Sequence, residues 1–278
     1  MREQRRKDAV WQFTTYVFIL VMTLVMLVPL YWMIVAATLP QEQFIQFPPR
    51  LYPGTAFFEN FAALQERTNF VRSIWNSVFI AVVYTVLSIL LCSMAGFAFA
   101  KYEFRFKEPI FYLILATLVL PIQLLVIPLF LMMSQIDWTD TFRAIIIPWL
   151  ANPIGIFLMR QNMKSIPDAL LESARMDGAT EFQIFYRIAL PAMRSSIAAL
   201  AIILFLFQWD LFLYPLVILE TSANYTIPVA LSGLEGTQRV YYDQIMVATS
   251  LAIIPLAILF LVLQKQFVSG ILAGSLKE

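Results

Sequence analysis

Residues 165–191 read SIPDALLESARMDGATEFQIFYRIALP, the longest charged interruption between otherwise apolar segments of this chain. Pro167 suits a first helical position, where its missing N–H costs nothing, and Asp168 follows in the first turn, where the helix dipole favours a carboxylate. Leu170, Leu171 and Ala174 then recur at helical spacing. Asp177-Gly178 supplies a stop, because glycine takes the left-handed conformation that ends a helix. Thr180 and Gln183 stand at capping-box spacing, so a second helix begins there. Phe182, Phe185 and Ile188 line one face of it until Leu190-Pro191 closes the element. The stretch predicts two short helices joined by a turn, with apolar stripes that need a surface to bury against.

The surrounding chain is of another kind. Hydrophobic residues make up 60% of it and charged residues 13%, against about 25% charged in a soluble domain. This is the composition of an integral membrane protein, predicted to be all-α and polytopic. The net charge of +1 carries no signal for nucleic acid, and there is no histidine. Cys92 stands alone in an apolar run. Imidazole catalysis, His-ligated metals and an intrachain disulfide are thereby removed, no metal site is expected, and Cys92 reads as a small packing residue.

Outward from the central stretch, charge-free runs predict six spans, at about 13–36, 73–100, 109–133, 144–160, 195–219 and 244–264, within one membrane domain covering 1–278. The first follows Arg2, Arg5, Arg6 and Lys7 but is too long for the core of a signal peptide. Residues 40–72 read as an ordered extramembrane excursion. Pro121 and Pro128 in the third span suggest bends, and Pro148, Asn152, Pro153 and Gly155 make the fourth short and bent. Six spans place both termini on one side. Fourteen of the nineteen Lys and Arg residues fall on the side of the termini and of 165–191, and five on the other. By the positive-inside rule that side is the cytoplasm, so the expected location is a bacterial or archaeal cytoplasmic (inner) membrane with both termini cytoplasmic.

No G-x-x-x-x-G-K-[ST] occurs, and none of the eight glycines begins a phosphate-cradling loop, so the chain itself is not expected to bind ATP. An ion-coupled secondary carrier would carry ionisable residues inside its spans or an inverted repeat. No internal repeat is evident, and Asp210 alone sits well inside an apolar segment. A membrane-embedded enzyme would need a cluster of acid, base or nucleophile, which is also missing, so no catalytic residue is assigned. Asp210 lies ~24 Å beyond Arg194 along a straight helix. A charge at the bilayer centre costs about 2.5–3.5 kcal/mol, so it should face protein or water. It reads either as a cavity residue meeting a hydroxylated solute beside Trp209 or as a polar contact between helices. Trp209, Asp210, Asn76 and Asn152 are the candidate solute-path residues.

Glu172, Ser173, Ala174, Asp177, Gly178 and Ala179, followed by Ile188, Leu190 and Pro191, stand at the spacing of the EAA motif, E-A-A-x-x-D-G-A with a later I-x-L-P. This resembles the cytoplasmic coupling loop of binding-protein-dependent ABC importer permeases. Ser173 departs from the family's usual Ala, and its small size preserves close docking. Further matches are Asn76-Ser77, the run PIGIFLMRQ from Pro153 to Gln161, Trp209 with Phe212 and Pro215, and the terminus QKQFVSGILAGSLKE. Over nearly the whole chain these look like the shorter membrane subunit of maltose-type carbohydrate importers. Asp210 stands where that family usually has Asn. Val35-Ala36-Ala37-Thr38 after Pro29-Leu30-Tyr31 is also similar to the glycerol-3-phosphate branch, which leaves glycerol-3-phosphate or its diesters as an alternative solute.

The resemblance implies a type I ABC importer permease fold in a non-catalytic transport subunit. It further implies a second, unlike permease, two ATPase copies that carry ATP and Mg, and an external solute-binding protein. Glu172, Ser173, Ala174, Asp177, Gly178, Ala179, Leu190 and Pro191 would then couple the chain to the ATPase.

Overall fold

In hydrocarbon every backbone N–H and C=O needs a partner within the chain, so charge-free runs of this length fold as helices. The computed structural model describes residues 2–44, 46–235 and 240–275, with side chains for all of these except 2–10 and 266–275. The described residues are all-α, with one isolated antiparallel bridge, Glu235 to Val240, and no strand. In chain order the helices are α1 (Arg2–Ala36), α2 (Phe57–Thr68), α3 (Phe70–Lys101), α4 (Lys107–Ala116), α5 (Ile122–Gln135), α6 (Phe142–Ile146) and α7 (Pro153–Met163). Then follow α8 (Asp168–Met176), α9 (Glu181–Ile184), α10 (Leu190–Ala192), α11 (Arg194–Trp209), α12 (Leu213–Ile218), α13 (Ile227–Ser232) and α14 (Tyr242–Ser275).

Three stretches, Trp11–Ala36, Phe70–Lys101 and Tyr242–Lys265, are each long and apolar enough to cross a membrane unbroken. Three more reach that length only as bent pairs. Lys107–Val119 meets Ile122–Gln135 at 102°, Phe142–Trp149 meets Pro153–Met163 at 43°, and Glu181–Ala192 meets Arg194–Trp209 at 82°. Pro121, which reads in the sequence as a bend, makes a full break. The helix tightens into a 3₁₀ turn at Thr117–Val119, Leu120 goes extended, and Pro121 caps α5. Proline disfavours the helical conformation of the residue before it and has no N–H to continue the ladder. Pro128, inside α5, leaves that helix intact. The run 195–219 is also not one helix, because α11 ends at Trp209 and α12 restarts at Leu213.

By their contacts the residues form two units, Met1–Arg67 with Gly233–Ile253, and Thr68–Ser232 with Ile254–Glu278. In the first, α1 exposes every side chain from Trp11 to Tyr31. A helix apolar all round and uncovered belongs in lipid. The chain after it is ordered by buried and half-buried polar groups. Asn60 donates to the carbonyls of Ala37 and Leu39 at 3.1 and 2.9 Å, and Thr38 Oγ1 accepts from the Gly54 N–H at 2.7 Å. Gln41 donates to the Val240 carbonyl at 2.7 Å, and Phe44 stacks on Tyr242.

The second unit holds the larger hydrophobic core, built on α3 packed against α7 and α11. Two glycines let α3 and α7 approach backbone to backbone. A Cβ on Gly96 would stand 2.6 Å from Met159 Cβ, and one on Gly155 would stand 2.7 Å from Cys92 Sγ. Cys92 is buried, with Sγ 3.4 Å from the Asn152 carbonyl. Arg160 is buried on α7, where its guanidinium pairs with Glu108, donates to the Phe99 carbonyl and lies 3.9 Å over the Phe111 ring. A buried guanidinium is tolerated only with such partners. This joint fixes the α7 terminus from which residues 165–191 emerge.

Candidate functional site

The turn at the centre of the charged stretch is a Schellman motif. The Gly178 N–H donates to the Arg175 carbonyl and the Ala179 N–H to the Ala174 carbonyl, both at 3.0 Å, with Asp177 as the cap and Gly178 at φ +80°. The spacing Ala174, Asp177, Gly178, Ala179 is thus a backbone requirement, and both alanines pack against the core. Pro167 proves to be the cap itself, extended at ψ 132°, with the helix beginning one residue later at Asp168. Leu171 is buried, whereas Glu172, Ser173, Asp177 and Gly178 are exposed. The Ser173 hydroxyl donates back to the Ala169 carbonyl at 2.9 Å.

The second helix opens with a complete capping box. Thr180 Oγ1 accepts from the Gln183 N–H at 3.3 Å, and Gln183 Oε1 accepts from the Thr180 N–H at 2.8 Å. It then widens into a π turn over Phe185–Ala189 before Leu190 and Pro191 start α10. Pro191 has no N–H for the Arg187 carbonyl, so the regular ladder cannot continue there. Phe185 is buried and Ile188 half-buried, but Phe182 is exposed and does not share their face. It stacks instead on the exposed Tyr186, ring planes 3° apart. With Met176, these are 88%, 67% and 63% exposed for Met176, Phe182 and Tyr186. Large apolar groups left this exposed on a charged loop are more than a solvated surface needs.

Two ties to the end of α3 hold this loop, and neither is evident from local sequence. Lys101 Nζ, nearly buried, donates to the Ile166 carbonyl at 2.5 Å and to Asp168 at 2.7 Å. Tyr102 donates to Glu181 at 2.5 Å, and Arg175 donates to both Glu181 oxygens at 2.8 and 3.2 Å. The Lys101 hydrogen bond and charge hold the Asp168 carboxyl below its ordinary range. Arg175 first, and Tyr102 second, do the same for Glu181. Burial, then the Glu181 carboxylate, pushes the Tyr102 phenol up to about 12. Arg175 and Glu181 flank the glycine turn, a spacing that could have suggested their pairing. Lys101 and Asp168 are 67 residues apart, and only folding joins them.

The four candidate solute-path residues do not come together. Asp210 ends α11 and is exposed, lining an open cavity of about 500 Å³ with Gln123, Ile203, Phe207, Phe212 and other residues of the two helix breaks. Trp209, one residue earlier, is buried and stacks on Phe205 at 5.5 Å. Asn76 is fully buried and donates to the carbonyls of Ala223 and Tyr225 at 2.9 and 3.0 Å. Asn152 caps α7, accepting from the Gly155 N–H at 3.2 Å and donating to Tyr84 at 3.3 Å. Both asparagines brace backbone away from that cavity. Gln123, which the sequence reading passed over, is on it. Among the described residues no group of His, Cys, Asp and Glu could hold a metal ion.

Residues 88–272 match the family described as binding-protein-dependent transport system inner membrane component. The chain is 37% identical over 249 residues to the lactose transport system permease protein LacG of Rhizobium radiobacter, covering 90% of each. It is 31% identical over 272 residues to the arabinooligosaccharides transport system permease protein AraQ of Bacillus subtilis, covering 97% of each. It is 30% identical over 268 residues to the sn-glycerol-3-phosphate transport system permease protein UgpE of Pectobacterium atrosepticum, covering 92% of this chain and 94% of the other. In fold it is similar to a chain in the crystal structure of a bacterial ABC transporter involved in the import of the acidic polysaccharide alginate. The TM-score is 0.79 at 22% identity, over 94% of this chain and 98% of that one.

Proposed function

The chain belongs to the family of binding-protein-dependent transport system inner membrane components, and on that premise we propose that it is the permease subunit of an ATP-driven importer for a sugar or sugar-like solute. It is a multi-pass membrane protein of the ABC importer permease fold. The observation that carries the coupling role is the loop 165–191, a preorganised pair of helices tied to α3 that presents Met176, Phe182 and Tyr186 to water.

In this reading the loop docks on a partner ATPase, which carries ATP and Mg, since this chain has no phosphate-cradling motif. Glu172, Ser173, Ala174, Asp177, Gly178, Ala179, Leu190 and Pro191 form or support the contact. Closure of the ATPase displaces the loop as a unit, because Lys101 and Tyr102 bind it to α3 and its two ends run directly into α7 and α11. The displacement passes into the spans and alternates access to the solute path. The excess of basic residues on that side supports a cytoplasmic loop and cytoplasmic termini. The working complex is this permease domain, a second permease, two ATPases and an external solute-binding protein. The similarity to LacG and AraQ supports a carbohydrate as the solute.

The test is mild-detergent purification of the tagged chain from its host, mass spectrometry of what accompanies it, and an ATPase assay. A second permease and an ATPase, with hydrolysis stimulated by a solute-binding protein, are expected. A chain that purifies alone and moves solute in liposomes without ATP would overturn the proposal.

A further inference from the structure

We propose that Gln123 and Asp210 form the polar lining of a water-filled solute path in this chain, and that its negative charge admits uncharged or cationic hydroxylated solutes and disfavours anions; this rests on the importer reading. The two residues come from separate breaks in membrane helices. Gln123 follows the Pro121 break at the start of α5, and Asp210 opens the break between α11 and α12. Both breaks converge on one open cavity of about 500 Å³. Irregular backbone and exposed polar side chains at membrane depth persist only where they meet protein or line water. Both polar side chains are exposed on that space and not packed against protein, which assigns it to water. Phe207 and Phe212 in the same lining supply apolar surface against which the C–H faces of a sugar ring can pack.

The sign of the path follows from its groups. The N-terminus of α5 brings about half a positive charge and the C-terminus of α11 about half a negative one, so the two helix ends offset each other. The cavity is lined by no Lys or Arg among the described residues. The Asp210 carboxylate therefore decides the local potential, and it repels phosphate or carboxylate solutes on this side of the path. Gln123 donates and accepts without charge, as recognition of hydroxyls requires.

The experiment uses the assembled transporter in vesicles, with Gln123→Cys as reporter and Phe212→Cys as a second reporter on the other break. The native chain, whose Cys92 is buried, supplies the blank. Two water-soluble methanethiosulfonates are compared, one ending in trimethylammonium and one in sulfonate, each rate divided by that on a free thiol in solution. The ammonium reagent should react about tenfold faster, the low end of charge focusing in a cleft, and adding Asp210→Asn should bring the ratio close to one. Absence of labelling at both reporters, equal rates for the two reagents, or a preference that survives Asp210→Asn would each overturn the proposal. Labelling requires no transport, so this result and the ATPase co-purification stand or fall separately.

Discussion

Gly178 offers a test in which geometry separates backbone from side chain. Its φ is +80°, and no atom lies within 4 Å of where a Cβ would stand. A substitution there meets no neighbour within the chain, so its cost is conformational, about 1–2 kcal/mol for an ordinary L-residue in the left-handed region. Asparagine visits that region more readily, and a β-branched residue least. The series Gly178→Asn, Gly178→Ala, Gly178→Val should therefore lose function in that order. Relief of the strain breaks the two hydrogen bonds that close the turn, from Gly178 to Arg175 and from Ala179 to Ala174. A cost of one to two kcal/mol is a factor of roughly 5–30 in the population of the formed turn. The assay is uptake and binding-protein-stimulated hydrolysis by the assembled complex in proteoliposomes, with amide exchange over 177–181 as a direct readout of the turn. Complex recovery should be unchanged. Wild-type coupling in Gly178→Val would refute the reasoning. Equal loss in all three variants would also refute it, because the cause would then be a clash with the partner and not the left-handed backbone.

Gly96→Ala should lower thermal stability in detergent by about 1–3 kcal/mol, since the added methyl must displace Met159 and the Arg160 backbone; an unchanged melting temperature would mean that the α3 and α7 backbones do not make this close approach. Removing the carboxylate in Glu108→Ala should destabilise more than Arg160→Met, because the first leaves a buried guanidinium with only the Phe99 carbonyl and the Phe111 ring, whereas the second removes the charge and keeps the apolar stem. Chemical denaturation of the pair and of the double variant gives the comparison, and the reverse order would refute it. The carboxyls of Glu181 and Asp168 are both held low. Their contribution is present above the unfolded carboxylate value of about 4 and is lost as pH falls through the lower folded values. Exchange protection over 166–183, corrected for intrinsic rates, should be flat between about pH 8 and about pH 5 and fall below about pH 4; a loss centred near neutrality would show that these ties do not hold the loop.

The legible parts were those encoded over short distances. The helix stop at Asp177-Gly178 and the Thr180/Gln183 capping box depend on residues within a turn of one another, so spacing alone specified them. Phe182 stands three residues before the buried Phe185, but the buried face of this helix centres on Ile184 and Phe185 with Phe182 at its edge, and spacing alone does not record where that face ends. The Pro121 break was underestimated because a proline in a membrane helix bends or breaks according to whether neighbours re-satisfy the freed carbonyls, which no local pattern records. Asn76 is a polar residue in an apolar run whose partners lie 147 and 149 residues away, so its bracing role has no local signature. Asn152 caps α7 through Gly155, three residues on, which local spacing can show, whereas spacing cannot show its contact with Tyr84, 68 residues away.

Composition, charge-free run lengths and the loop's turn and cap residues sufficed to determine an all-α polytopic chain with a helix-turn-helix loop, because hydrocarbon leaves the backbone of a long apolar run no alternative to a helix. Tertiary structure alone decided what holds that loop and where polar groups meet. Lys101 reaches Asp168, Tyr102 reaches Glu181, and the breaks beside Gln123 and Asp210 open on one cavity. These are contacts between segments distant in the chain, set by how α3, α7 and α11 pack, and packing is a property of all the side chains at once.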